Sequence, residues 1–403
     1  MHRLMLATFG IHAADQFTLA ALPLLATLLM PGGAALAGVL VAAQGAAWLL
    51  LSLPAGAWVD RFPRRRLMVL ASLGAALALG AASLFPAAPQ WLVPWVMLAA
   101  SGTVVTVLAG FALLPELAER AALPAANARL ELARAAATLL ASPVAGTLAG
   151  LGQPATALPL AAVLAVVAAL AARGLPEPGS VRAPGPGQAG SRRLRQALGE
   201  GTRFVLAHAL LRSVALAAVA WNFAFFALAA VAMPLAIEVL HLPPQGAGLA
   251  LGAYGAGLVL GALLAGRLAA RQAPGRMLLA GPALSLLAML AWALAMQLPE
   301  PVARAVLVAL AQFLLGFGPM LWQVVQTSLR QVVTPAALLG RVGATMQVAV
   351  FGVRPLGALA GGAVAAQQGF AAVLWLVALG FGLSLLVVLA SPLGRLRTMP
   401  VAA

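Results

Sequence analysis

The sequence predicts an all-α membrane protein of twelve transmembrane helices, arranged as two pseudo-symmetric six-helix bundles. Three observations carry this. First, of 403 residues 63% are apolar and only 8% charged, with a mean hydropathy of +1.02. A chain so poor in charge cannot cover a water-facing surface, so its outside must face lipid. Second, apolar runs long enough to cross a hydrocarbon core of about 30 Å recur twelve times. Third, the later runs repeat features of the earlier ones at a nearly constant offset.

The first six spans are read at 5–29, 35–58, 67–85, 91–114, 127–151 and 155–173. The first of these is too long for the apolar stretch of a signal peptide and reads as a retained helix. The second six are read at 210–238, 244–268, 276–297, 303–328, 339–366 and 370–390. Gly and Pro inside these runs are tolerated in lipid because neighbouring helices re-satisfy the backbone. The division expected is a six-helix bundle over 1–173, a cytoplasmic linker over 174–203, and a second bundle with a short tail over 204–403. The linker begins rich in Pro and Gly, as flexible segments do. Its later part, Arg192 to Glu200, reads either as a basic amphipathic helix on anionic lipid or as solvated chain.

Arginine placement sets the orientation. With the N-terminus inside, 22 of the 24 arginines fall in cytoplasmic segments or at their helix edges. Only Arg304 falls outside, and Arg354 falls within a span. This bias predicts a multi-pass protein of a bacterial inner membrane with both termini cytoplasmic. The net charge of +15 is therefore a topology signal rather than a nucleic-acid surface, and no nucleic-acid partner is expected. The absence of Cys excludes disulfides and thiolate chemistry.

The internal repeat is read at three places. Gln44 to Arg61 and Tyr254 to Arg271 are identical at seven of 18 positions, offset by 210. Pro143 in the fifth span maps on Pro355 in the eleventh, and Pro23 maps on Pro234, at offsets of 212 and 211. A duplicated unit is what a transporter with a midplane site between two rocking halves requires.

Charges at mid-membrane cost about 2.5–3.5 kcal/mol on insertion scales, so they usually have a task. Asp15 and Arg354 are the two clear cases. Asp15 is the candidate proton carrier, with His12 one turn before it as a relay and Gln16 beside it. The competing reading makes Asp15 a structural partner of Arg354 or of backbone amides. Arg354 does not titrate usefully, so it either anchors an anionic group of a substrate or neutralises an acid. Glu131 and Arg134, three apart, read as an intrahelical ion pair.

The stretch Gly56-Ala57-Trp58-Val59-Asp60-Arg61-Phe62-Pro63-Arg64-Arg65-Arg66 resembles the loop between helices 2 and 3 of the major facilitator superfamily. Gly56, Asp60, Arg61, Arg64 and Arg65 match its pattern, while Pro63 replaces the usual Gly. Leu123 to Asn127, Gly340-Arg341-Val342 and Arg354-Pro355-Leu356-Gly357 are similar to the branch of enterobactin exporters and bacterial drug effluxers. The resemblance implies a cytoplasmic gate in which Asp60 meets the start of the eleventh span near Arg341, with Glu116, Glu119 and Arg120 as further partners. It also implies a cavity lined by helices 1, 4, 7 and 10. There the sequence offers Asn222 and Phe226, and Gln312, Trp322, Gln323 and Gln326, with Tyr254 nearby on the eighth span. Aromatic rings with amides suit a bulky amphipathic organic molecule, although packing explains them equally well. Two departures stand out. The fourth span lacks the Arg many proton-coupled members carry, and the fifth keeps only Pro143 and Gly146 of the antiporter motif.

The expected function is proton-coupled efflux of a small amphipathic compound, drug-like or siderophore-like, by alternating access. Lipid, lysolipid or a dedicated metabolite is the alternative cargo, and a non-transporting sensor or scaffold the alternative class. No enzyme is expected: no HExxH, paired-Asp or Walker A pattern is present. The partners expected are the substrate, protons and the bilayer, for a monomer without cofactor or metal.

Overall fold

The computed structural model describes residues 1–117, 123–176, 191–335 and 338–400, apart from the side chains of Leu53, Asp60, 123–125, 128 and 191–198. The first half contains α1 (His2–Leu29), α2 (Gly33–Arg61), α3 (Arg64–Ser83), α4 (Pro89–Leu117), α5 (Leu123–Gly150) and α6 (Ala157–Arg173). A polar helix, α7 (Ser191–Ala207), follows, and a break at His208 separates it from α8 (Ala209–Pro234), which a π-turn extends over Leu235–Val239. Then come α9 (Pro244–Arg271), α10 (Pro274–Ala295), α11 (Pro301–Val333), α12 (Leu339–Gln368) and α13 (Phe370–Ala390).

Twelve of these helices are long and apolar enough to cross a membrane, and the described residues contain no strand. Alanine and leucine dominate them, which favours helix throughout. Pro244, Pro274 and Pro301 open α9, α10 and α11, where a missing N–H leaves no bond unmade. Their outer faces carry apolar side chains into the surroundings: Leu77 is 76% exposed and Trp375 is 73% exposed. That is a lipid-facing surface, not a water-facing one.

Several helices run beyond the apolar spans read from the sequence. α2 reaches Arg61 rather than 58, α9 reaches Arg271 rather than 268, and α11 reaches Val333 rather than 328. All three overruns lie at the arginine-rich end. Helix hydrogen bonding does not stop at the edge of the hydrocarbon, and long arginine stems let the last turn stay helical with its charge in water. Within the segment expected as linker, α7 continues to Ala207, beyond residue 203.

The two halves repeat one packing scheme. In the first half α1 packs on α5 and α6, α3 on α4 and α6, and α2 on α4. In the second half α8 packs on α12 and α13, α10 on α11 and α13, and α9 on α11. Two seams join the halves: α5 against α9, and α2 against α12. Small residues make both seams. A Cβ placed on Gly146 would lie 2.7 Å from Gly248 Cα, and one on Gly38 would lie 2.9 Å from Gly362 Cα. Real side chains do not fit there, so backbone lies against backbone. The repeat prolines sit in the same seams, Pro143 against Gly252 and Pro355 against Gly45.

Candidate functional site

The seams close the arginine-poor end. Gly38 and Gly248 lie near the starts of α2 and α9, and Gly146 and Gly362 near the ends of α5 and α12. Toward the other end the halves part, leaving a cavity of about 660 Å³ between them. It runs from mid-membrane, at Leu19 and Phe226, to Arg330 and Gly343 near the arginine-rich end. This volume lies within the range of small-molecule sites.

Asp15 stands at the middle of α1 and Arg354 at the middle of α12, and both line the cavity. They do not form an ion pair with each other among the described residues. Asp15 is held by amides. Gln44 Nε2 donates to Asp15 Oδ1 at 2.9 Å and to the Asp15 carbonyl at 2.9 Å, and Gln16 Nε2 approaches Oδ2 at 3.5 Å. Gln44 Oε1 is buried with no hydrogen-bond partner among the described residues. An amide that donates to a carboxylate can, turned over, accept from the protonated acid. The site can therefore hold Asp15 in either state without moving the backbone.

Arg354 lies over two rings, 4.2 Å from the centroid of Phe351 and 4.9 Å from that of Phe226. Its Nε donates to Asn222 Oδ1 at 3.1 Å, while Asn222 Nδ2 is tied to the Ala218 carbonyl at 2.9 Å. Trp48 stacks on Phe351 with centroids 4.9 Å apart, linking α2 to α12 across the two halves. His12 meets Thr138 Oγ1 at 3.3 Å, on α5, rather than Asp15.

Of the other substrate candidates, Gln16, Asn222, Phe226, Tyr254, Trp322, Gln323 and Gln326 all line the cavity. Gln326 Nε2 donates to Gln323 Oε1 at 3.0 Å, so the two amides form one polar patch on α11. Gln312 does not line the cavity. It shares a face of α11 with Gln323, but the cavity wall on that helix begins only at Pro319.

At the arginine-rich end, Arg64 pairs with Glu116 and also donates to the Ala112 carbonyl at 3.0 Å, tying α3 to α4. Arg341 pairs with Glu200, tying α12 to α7. Arg61 is exposed, Arg65 is half-buried, and Gly56 has no neighbour where a Cβ would stand. Glu119, Arg120 and the side chain of Asp60 lie outside the described residues, so the Asp60 gate expected from the resemblance does too.

Several cavity residues escaped the reading of the sequence. Gln44 served there only to mark a repeat, although a lone amide in the middle of a span was its signal. Arg134 was read as an ion pair, and it does bond Glu131 at 2.9 Å, yet it also lines the cavity, near the ring of Phe111. Arg330, counted as a topology marker, lines it as well, together with Trp48, Gln347 and Phe351.

Twelve membrane helices in two matching sets, closed at one end around a central polar cavity, define an alternating-access transporter fold. Residues 4–243 match the family model of the Major Facilitator Superfamily, and the chain belongs to that superfamily. No curated protein matches the chain. Among solved structures, the nucleoside transporter NupG is similar at a TM-score of 0.71 and 15% identity, covering 96% of this chain and 97% of that one. A POT family transporter in complex with 5-aminolevulinic acid is similar at 0.74 and 11%, covering 97% and 96%. A bacterial homologue of the human lysosomal transporter Spinster, inward-facing and unoccupied, is similar at 0.64 and 16%, covering 96% and 92%. At these identities the likeness is one of fold.

Proposed function

We propose that this protein is a proton-coupled exporter of a small amphipathic organic compound in a bacterial inner membrane, with both termini cytoplasmic. The observation that carries the reading is Asp15. It is the one acid among the described residues lining the cavity, it sits at mid-membrane, and its hydrogen bonds come from amides able to serve either protonation state. A carboxyl so placed can load a proton from one side and release it to the other as the halves rock. Arginine placement supports the orientation, which makes the cavity open to the cytoplasm. Export is the direction implied by the likeness to enterobactin exporters and drug effluxers. The aromatic and amide lining suits cargo of mixed polarity.

The test is export of dyes, antibiotics and siderophores from cells lacking their own pumps, with and without an uncoupler. Intact protein should expel a compound only while the proton gradient stands, and Asp15→Asn should not expel it. Export that survives both the uncoupler and Asp15→Asn would overturn proton coupling through this residue.

A further inference from the structure

We infer that the transported compound is an organic anion, a flat aromatic molecule bearing a carboxylate or a similarly forked oxyanion, and that Arg354 receives its charge. This rests on the reading of the cavity as a transport site and names the substrate class for it.

The argument begins with the charge of the walls. Arg134, Arg330 and Arg354 line the cavity, against a single acid, Asp15. Arg134 has an acid of its own in Glu131. Arg354 has none within ion-pair distance among the described residues. Its Nε is engaged by Asn222, its Cζ lies over the rings of Phe226 and Phe351, and it lies on the cavity wall. Both terminal amino groups therefore remain for a ligand.

A guanidinium fixed in its plane presents two parallel N–H donors, which match the two oxygens of a carboxylate. Stacking on two rings and one side hydrogen bond hold that plane before any ligand arrives, so little freedom is lost on binding. The rings against Arg354 also belong to the cavity wall, with Trp48 stacked on Phe351, and offer an aromatic ligand a surface beside its own anionic group. Orientation reinforces the choice: an inside-negative membrane potential drives an anion outward.

The test is equilibrium binding to the intact protein in nanodiscs of phosphatidylcholine, with no gradient present. The probes are 1-naphthoate, 1-naphthamide and 1-naphthylmethylammonium, which differ in charge on one ring system, with empty nanodiscs as the blank. We expect 1-naphthoate to bind at least about tenfold more tightly than the amide, and the ammonium probe to bind most weakly. Arg354→Gln should bring naphthoate level with naphthamide. Arg354→Lys, which keeps the charge without the fork, should lose most of the preference, and it preserves the test if the Gln variant does not fold. Equal binding of acid and amide, a preference that survives both variants, or no binding of any probe overturns the inference. Because no flux is measured, failure of proton-driven export leaves this result standing, and export of neutral compounds with no anion preference defeats this inference alone.

Discussion

Gln44 reaches across from α2 and donates through one amide nitrogen to both the main-chain carbonyl and the carboxylate of Asp15, each at 2.9 Å. In this orientation the amide serves the ionised acid; turned over to accept from the protonated acid, it gives up both of these donations. Replacing Asp15 with Asn keeps the shape and removes the titration. Asp15→Asn is expected to exchange substrate across vesicle membranes at equal concentrations yet fail to accumulate it under a proton gradient. Counterflow and gradient-driven uptake in the same proteoliposomes measure the two. Loss of both would assign Asp15 to structure.

The backbone contact between Gly146 and Gly248 leaves no room for a side chain. Gly248→Val should wedge the arginine-poor end apart and shift the protein away from the conformation described above. The chain has no cysteine, so a single Gln347→Cys on the cavity wall reports access. Its labelling by a membrane-impermeant thiol reagent from the arginine-rich side should fall when Gly248→Val is added. Unchanged labelling would mean that the seam yields without opening.

The pair between Arg341 and Glu200 is more than one-third exposed on both sides. Such pairs contribute only ~0–1 kcal/mol to stability. Glu200→Arg is therefore expected to leave the melting temperature nearly unchanged while lowering the transport rate, because it removes the ion pair between α12 and α7. Adding Arg341→Glu restores the pair with its charges exchanged and should recover part of the rate. A rate insensitive to both changes would remove this contact from the gating cycle.

Arg304, the one arginine at the opposite end among the described residues, has a task unrelated to topology. Its Nε donates to the Leu298 carbonyl at 2.7 Å and its Nη1 to the Leu240 carbonyl at 2.8 Å, clasping the end of the π-turn after α8 to the start of α11. Losing a charged donor to partly buried carbonyls costs about 1–3 kcal/mol. Arg304→Ala should lower thermal stability in detergent by a corresponding amount without changing substrate preference.

The helices were legible because lipid imposes a simple rule on sequence: a long apolar run must be a helix. The second, fifth, eighth and eleventh spans carry the glycines of the seams, and the repeat in those spans was read as a duplication. The cavity was legible where charge made a residue conspicuous, as at Asp15 and Arg354, or where a helix expected to line it pointed to amides such as Gln323. It was not legible where a residue has two uses. Arg134 satisfies a neighbour three positions away and also faces the cavity, and only the local use can be read from spacing. Gln312 and Gln323 share a helix face, but depth along that face separates them, and periodicity carries no information about where a cavity ends. The partner of Arg341 could not be read at all, since Glu200 belongs to a helix 141 residues distant in the chain.

The glycine seams have a thermodynamic corollary. Glycine and alanine have no rotamers to lose, so bringing those surfaces together orders nothing beyond the backbone. The opposite end carries long arginine and glutamate side chains, in the pairs Arg64–Glu116 and Arg341–Glu200, which salt screens. Ionic strength should then act on one half of the cycle only, slowing or hastening closure at the arginine-rich face while the other face opens and shuts at its own pace.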